Sequence, residues 1–328
     1  MTPVRWGILG TANIATVHFL PGLHAAGEGI AYAVAGRDRA RTQQFVADNG
    51  IEQALEGYAE LVADEQVDVV YVPLPNSLHA EWTIAALRAG KAVFCEKPLC
   101  VSAEETQAVL AVARESTQPL WEAFVFLFRD QTARLLDLVS AGAIGDVLEV
   151  QSTFHYPLSG RDDIRLDPAL GGGVLHDGGC YPVRLARLLF ESEAVSGTSL
   201  TRWAAEGVDE ETQAILAFPH ERRLLLSCAM FRRYDMVARV LGSRGAIRLS
   251  RPFHPHANDT IEIHGEGRAE TERPNGDEPS FEPALRHIHA ALRGEEAPRH
   301  LAVDEALGNA QAIDLLYRSA RSGQVERA

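Results

Sequence analysis

From residue 4 to residue 124, short apolar runs alternate with stretches whose apolar positions recur every three to four residues. The runs are Arg5–Gly10, Ile30–Ala35, Val67–Val72, Ala92–Cys95 and Leu120–Phe124. Val67–Val72 is rich in β-branched residues, as in parallel strands buried on both faces. Between the runs, Val17, Leu20, Leu23 and Ala26 mark one helix and Arg39–Asn49 a second. A third, capped by Asn76 or Ser77, stops at Gly90, and a fourth covers about Ser102–Ser116. Strand–helix alternation of this kind predicts a doubly wound α/β domain with a parallel sheet.

After residue 124 the pattern changes. A helix from Asp130 to Ala141 is followed by the alternating strand Val147–Tyr156 and a long Gly-, Asp- and Arg-rich loop, Pro157–Gly173. Loops of that length in compact domains are usually functional or disordered. A helix opens at His176, and strand-like runs follow at 198–206, 210–218, 222–231, 235–241, 245–250 and 259–264, predicting an antiparallel meander. Two helices, about Phe281–Leu292 and Val303–Ser322, close the chain. The pattern predicts two closely packed domains, 1–124 and 125–328, with a ligand cleft between them.

Candidate chemistry gathers at Ala92–Leu99. Ligands of open parallel sheets sit beyond the carboxyl ends of the strands, and this strand ends in Glu96-Lys97-Pro98. Pro98 biases Lys97 towards an extended backbone, so an amine is expected at the mouth of the cleft. The first strand runs into Gly10-x-Ala12-x-x-Ala15, a G-x-G-x-x-G turn with alanine in two places. Such a turn puts pyrophosphate on the amides of a helix start. After the second strand, the place that usually binds ribose through a carboxylate falls on Gly36. Its neighbour Arg37 suits a 2′-phosphate, so NADP is expected ahead of NAD. Asp38 reads as the N-cap of the next helix, and His79 by itself as a packing histidine. Asp177 and Tyr181, four apart, are expected to share one helical face.

Charge and composition narrow the partners. The 328 residues carry a formal net charge of −14, which argues against nucleic acid or an anionic membrane as partner. No run approaches the ~20 apolar residues of a membrane span, and no basic region followed by an apolar core suggests a signal peptide. Cys95, Cys100, Cys180 and Cys228 have no C-x-x-C spacing and read as reduced thiols of a cytoplasmic protein. His254-x-His256 and His287-x-His289 lack a nearby third ligand, so no metal is expected.

Five motifs in order resemble the Gfo/Idh/MocA oxidoreductase family: the segment Arg5–Ala15, Pro75–His79, Glu96–Leu99, Glu122–Phe124, and Gly171–Gly173 with Asp177-x-Gly179-x-Tyr181. The arrangement is most similar to the branch of dihydrodiol dehydrogenases and NADP-dependent aldose dehydrogenases. The resemblance implies a Rossmann domain and a C-terminal α/β domain with an open, mostly antiparallel sheet, through which dimers often form. It implies a nicotinamide cofactor held by Gly10, Thr11, Ala12, Asn13, Ile14, Arg37, Pro75, Asn76, His79, Glu96 and Lys97. It also implies Lys97, Tyr181 and Asp177 as catalytic residues and Arg165, His176 and Asp177 at the substrate. Two departures, Leu127 where an arginine is usual and His176 where an apolar residue is usual, reshape the expected pocket. The expected activity is hydride transfer between nicotinamide and a sugar, polyol or dihydrodiol. The alternative is a non-catalytic dinucleotide or sugar sensor of the same fold, which has no need of Lys97 and Tyr181.

Overall fold

Six strands build the sheet of the first unit: β1 (Val4–Leu9), β2 (Gly29–Ala35), β3 (Gln53–Leu55), β4 (Val69–Val72), β5 (Ala92–Cys95) and β6 (Leu120–Glu122). The computed structural model describes residues 2–265 and 267–328. All described pairings of this sheet are parallel, in the order β3-β2-β1-β4-β5-β6. The order reverses at β1 and β4, the place where doubly wound folds bind dinucleotides. Helices α1 (Leu20–Ala26), α2 (Arg39–Asn49), α3 (Tyr58–Ala63), α4 (His79–Arg88) and α5 (Ala103–Glu115) connect the strands. Leu9, Val70, Val93, Val109 and Leu110 belong to one buried cluster of this unit. β3 and α3 were not expected from the sequence, because three and six residues are too few to show a period.

The second unit holds α6 (Asp130–Ser140), β7 (Val147–His155), α7 (Cys180–Phe190), β8 (Ser196–Trp203), β9 (Asp209–Ala217), β10 (Arg223–Ala229), β11 (Asp235–Gly242), β12 (Gly245–Ser250), β13 (Ile261–Gly265) and β14 (Arg268–Glu272). Its nine-stranded sheet runs β14-β13-β12-β11-β7-β10-β9-β8-β15, where β15 is Glu326–Arg327. The expected meander is interrupted. β7 inserts between β10 and β11 and runs parallel to β10, while its pairing with β11 is antiparallel. Two-residue periodicity marks a strand but not its neighbours.

The last two helices are α8 (Glu282–Leu292) and α9 (Ala302–Ser322). The sequence reading put all of 125–328 in one domain. Instead Glu278–Leu307 packs with Met1–Val125, and the second unit is Phe126–Asp277 with Gly308–Ala328. The reason is local packing around α1: a Cβ at Gly22 would lie 2.7 Å from Phe281 Cβ. In addition, His289 of α8 accepts from Trp6 Nε1 at 2.9 Å.

One face of the nine-stranded sheet is covered. There Ser199 Oγ donates to Leu316 O at 2.8 Å, and Gly197 lies against Leu315 and Leu316 of α9. The opposite face carries the row Thr198, Ile215, Leu225, Gln151, Arg239 and Arg248 across paired strands. Ion pairs Arg202–Glu211 (3.1 Å) and Arg248–Glu262 (2.8 Å) cross this face. Among the described residues, no helix is long and apolar enough to cross a membrane.

Candidate functional site

The candidate residues fall in both units. In the first, β1 ends at Gly10, whose φ of +85° is a left-handed conformation that side chains disfavour. Gly10 N donates to Ala35 O at 2.7 Å, fixing the turn against the end of β2. Thr11, Ala12 and Ile14 are half-buried and Asn13 is exposed. A π-helical turn, Ala15–Phe19, then leads into α1. Such turns often occur at functional sites. This strand, tight turn and helix start fit a dinucleotide, with Ala12 the departure from the glycine pattern.

At the end of β2, a Cβ at position 36 would lie 2.2 Å from Thr42 Oγ1, so a side chain there would force Thr42 to shift. That hydroxyl donates to Asp38 O at 2.7 Å, while the Asp38 carboxylate accepts from Arg41 N at 3.0 Å and caps α2. Gly36 therefore supplies no ribose-binding carboxylate, and the one at 38 is engaged by its own helix. Arg37 is exposed. Arg41 Nη2 donates to Thr11 O at 3.2 Å, which places a second guanidinium beside the Gly10 turn. Sequence reasoning missed Arg41, although its place four after Arg37 was a visible signal.

Beyond β4 and β5, two of the expected cofactor ligands have protein partners. His79 is fully buried, its Nδ1 2.8 Å from Pro98 O and its Nε2 2.8 Å from Leu74 O. Burial pulls its pKa down against these carbonyls, and the Lys97 charge adds to the pull. Glu96 is 7% exposed and accepts from Tyr71 Oη at 2.7 Å. The Tyr71 ring stacks on Phe19 of the π turn at 4.1 Å. His79 and Glu96 thus brace the loop that presents Lys97. Lys97 itself is half-buried and precedes a cis peptide to Pro98. Leu99 N donates to Glu122 at 2.8 Å, tying this loop to the end of β6. Asn76 begins a 3₁₀ turn, Asn76–Leu78, directly after Pro75.

In the second unit, Asp177 is the meeting point. Tyr156 Oη donates to its Oδ2 at 2.5 Å and Arg165 Nε donates to the same oxygen at 3.1 Å. Arg165 Nη1 also reaches Asp163 at 3.1 Å. The Asp177 carboxylate raises the Arg165 pKa. Burial, then Asp177, push the Tyr156 phenol well above its ordinary value, so Tyr156 remains a proton donor to the carboxylate. Tyr156 was missed by the sequence reading. Its signal was a place just past β7, two residues after Phe154 and hence on the same face.

Tyr181 is 3% exposed. Its ring stacks on Phe154 at 5.3 Å, with Phe253 and His254 each at 5.3 Å. The sequence put Asp177 and Tyr181, four apart, on one helical face. Asp177 lies in a second π turn, Leu175–Gly179, before α7 begins at Cys180. Tyr181 follows as the second residue of α7. The end of β7 touches both, through Tyr156 on Asp177 and Phe154 on Tyr181, and Phe154 and Tyr156 meet edge to face at 6.0 Å. His176 turns to the glycine loop and α9: its Nδ1 is 3.2 Å from Gly172 O and its ring 5.0 Å from Tyr317.

Residues 4–124 match the model described as an oxidoreductase family with an NAD-binding Rossmann fold, and residues 132–248 match the Gfo/Idh/MocA C-terminal domain. The chain belongs to the Gfo/Idh/MocA oxidoreductase family. A D-xylose 1-dehydrogenase (NADP(+)) of Haloferax volcanii is 35% identical, over 98% of this chain and 98% of its own. A dTDP-3,4-didehydro-2,6-dideoxy-alpha-D-glucose 3-reductase of Streptomyces violaceoruber is 38% identical, over 88% of this chain and 83% of its own. A solved 3-ketoreductase from Actinomadura kijaniata, in complex with NADP and TDP-benzene, is similar with a TM-score of 0.88 at 32% identity. The match covers 97% of this chain and 98% of that one. As a member of the Gfo/Idh/MocA family, this chain is an NAD(P)-dependent oxidoreductase.

His287 and the four cysteines lie buried. His287 Nδ1 contacts Glu296 at 2.8 Å and its Nε2 accepts from Arg299 N at 2.9 Å. All four cysteines are buried and reduced, and burial pushes the thiols of Cys95, Cys100 and Cys228 up. Among the described residues, no three His, Cys, Asp or Glu side chains converge as a metal set.

Proposed function

We propose that this Gfo/Idh/MocA member is an NADP-preferring dehydrogenase or reductase of a sugar or related polyol. The observation that carries the reading is the end of β2. Gly36 supplies no carboxylate, Arg41 Nη2 reaches Thr11 O beside the Gly10 turn, and the exposed Arg37 follows directly on Gly36. Guanidinium groups suit a 2′-phosphate. The NADP-linked relatives support the same reading.

Nicotinamide, when bound, supplies the hydride chemistry. The chain's own residues orient the substrate and handle the hydroxyl proton. Asp177, held as an acceptor by Tyr156 and Arg165, is the proposed anchor for a substrate hydroxyl. Tyr181 is the proposed proton donor and acceptor, and Lys97 the proposed cation that assists it. His176 is proposed to shape the pocket through the glycine loop.

The test mixes the protein with NADP⁺ or NADPH and a panel of aldoses, inositols and diols, following nicotinamide absorbance and measuring Kd for both cofactors. NADP is expected to bind about tenfold or more tightly than NAD, the worth of one charge-assisted contact. Arg37→Ala and Arg41→Ala should each erode that preference while leaving NAD affinity nearly unchanged. Equal or tighter binding of NAD by the wild type would sink the cofactor reading.

The assembly proposed is a homodimer through the open face of the nine-stranded sheet, where Leu200 is 77% and Ile215 42% exposed. Two-fold self-association is the commonest closed arrangement of soluble oligomers. Light scattering at micromolar concentration should return twice the chain mass, and a monomeric mass rejects the dimer. The reduced, buried thiols support a cytoplasmic location.

A further inference from the structure

Asp209 opens β9 and is 1% exposed, yet donors converge on it from three directions. Its Oδ2 accepts from Leu175 N at 2.9 Å and from Thr212 Oγ1 at 3.4 Å, and its Oδ1 accepts from Tyr317 Oη at 2.7 Å. Leu175 is the first residue of the π turn that carries Asp177, and Val174 before it makes no side-chain cap bond. Helix starts leave N–H groups unpartnered and favour a carboxylate beside them. Here the carboxylate comes from a strand 34 residues on.

The glycine loop is built around the same group. Gly173 has φ +115°, and a Cβ there would lie 2.1 Å from Asp209 Oδ1 and 2.6 Å from Tyr317 Oη. Gly172, whose Cβ would lie 2.4 Å from Arg165 O, brings the Arg165 backbone into the same assembly. Gly173 N donates to Arg165 O at 2.9 Å. One buried carboxylate therefore stands behind both the turn of Asp177 and the loop of its partner Arg165.

We propose that Asp209, held by Tyr317, is a positioning residue for the reaction: it caps from β9 the turn that fixes where Asp177 stands. The proposal rests on the reading of Asp177 as the substrate anchor.

The capping form of Asp209 is the ionised one, since Leu175, Tyr317 and Thr212 all donate to it. Burial opposes that form and pushes its pKa from 3.8 up to about 7, against the pull of the three hydrogen bonds. The other groups facing it are the Tyr317 phenol of α9 and the Cys228 thiol of β10, both pushed up by burial and so protonated near neutrality. Cys228 also feels the Asp177 charge. Arg321 and His176 lie against the Tyr317 ring, at 5.6 and 5.0 Å. Capping therefore weakens as the pH falls through about 7, which gives turnover an acid limb there. Stability moves the other way. Between 3.8 and about 7 the folded chain binds this proton and the unfolded chain does not, so this group's contribution falls as pH rises through that window.

The test uses the full chain with Asp209→Asn, Tyr317→Phe and Asp177→Asn. It follows amide hydrogen exchange of residues 172–178, thermal stability against pH, and kcat and KM against pH with NADP⁺ and the best aldose of the panel. In Asp209→Asn, exchange at Leu175 should rise about tenfold or more. Its kcat should fall about 10- to 100-fold at unchanged KM for NADP⁺, and both the acid limb and the stability slope near neutrality should vanish. Tyr317→Phe should move the same readouts by about three- to tenfold. A merely structural role would reduce the folded fraction and leave the pH profile of the remaining activity as it was. Unchanged exchange at Leu175, or a retained acid limb in Asp209→Asn, overturns the proposal. Wild-type turnover in Asp177→Asn overturns the underlying reading instead, and the Leu175 exchange result still decides whether Asp209 caps the turn.

Discussion

Tyr181→Phe is expected to lower turnover by about 10²–10⁴-fold, the usual worth of a positioned proton donor or acceptor. The change removes one hydroxyl and keeps the ring. Its stacking on Phe154 and its contacts with Phe253 and His254 are therefore preserved. Folding stability should consequently change by only about 1 kcal/mol, and cofactor affinity should hold. A defect confined to kcat separates a proton-transfer role from a packing role. The measurement is kcat and KM for the preferred substrate, with Kd for NADP⁺ by fluorescence titration. Near-normal turnover removes Tyr181 from the chemistry and moves suspicion to Asp177. Lys97→Met should also lower turnover, as loss of the assisting cation would require.

The second large effect is structural. Gly173→Ala should destabilise the chain by roughly 3–5 kcal/mol, because a side chain there meets two separate penalties. The backbone sits at φ +115°, and the added methyl would overlap Asp209 Oδ1 and crowd Tyr317 Oη. Neither oxygen can retreat easily, since each is hydrogen-bonded to the other at 2.7 Å in a buried setting. For a chain of this length, calorimetry should show a drop in Tm of about 4–7 °C. By contrast, a Cβ at Gly160 in the same loop would meet nothing within 4 Å, so Gly160→Ala should leave Tm nearly unchanged. Equal Tm values for the two variants would mean that the glycine loop yields more freely than its contacts suggest.

Much of the first unit was legible because its signals are local. An apolar run followed by a tight turn and an amphipathic stretch predicts one strand, one loop and one helix. The Asp38 cap was readable for the same reason: the side chain acts three residues away. The family resemblance was also a local matter, carried by five short motifs and matched over residues 4–124 and 132–248.

What the sequence could not settle lies at long range. Nothing near Gly36 announces that Thr42 Oγ1 fills the space a side chain would need, or that Arg41 reaches back to Thr11. His79 and Glu96 sit in motifs that suggested ligand contact. Only folding shows that carbonyl oxygens of two loops take the imidazole and that Tyr71 takes the carboxylate.

The sequence by itself determined the strand–helix alternation, the glycine turn, the lysine after β5 and the aspartate–tyrosine pair, because each depends on residues a few places apart. The tertiary structure alone decided that β7 lies between β10 and β11, that Glu278–Leu307 packs with the first unit, and that Asp177 answers to Tyr156, Arg165 and, through its turn, Asp209. Around Asp177 the partners are 12 to 34 residues away along the chain, and Trp6 and His289 are 283 apart. They meet because burying a polar group is costly unless a partner is found, and the fold, not the local sequence, determines which partner is within reach.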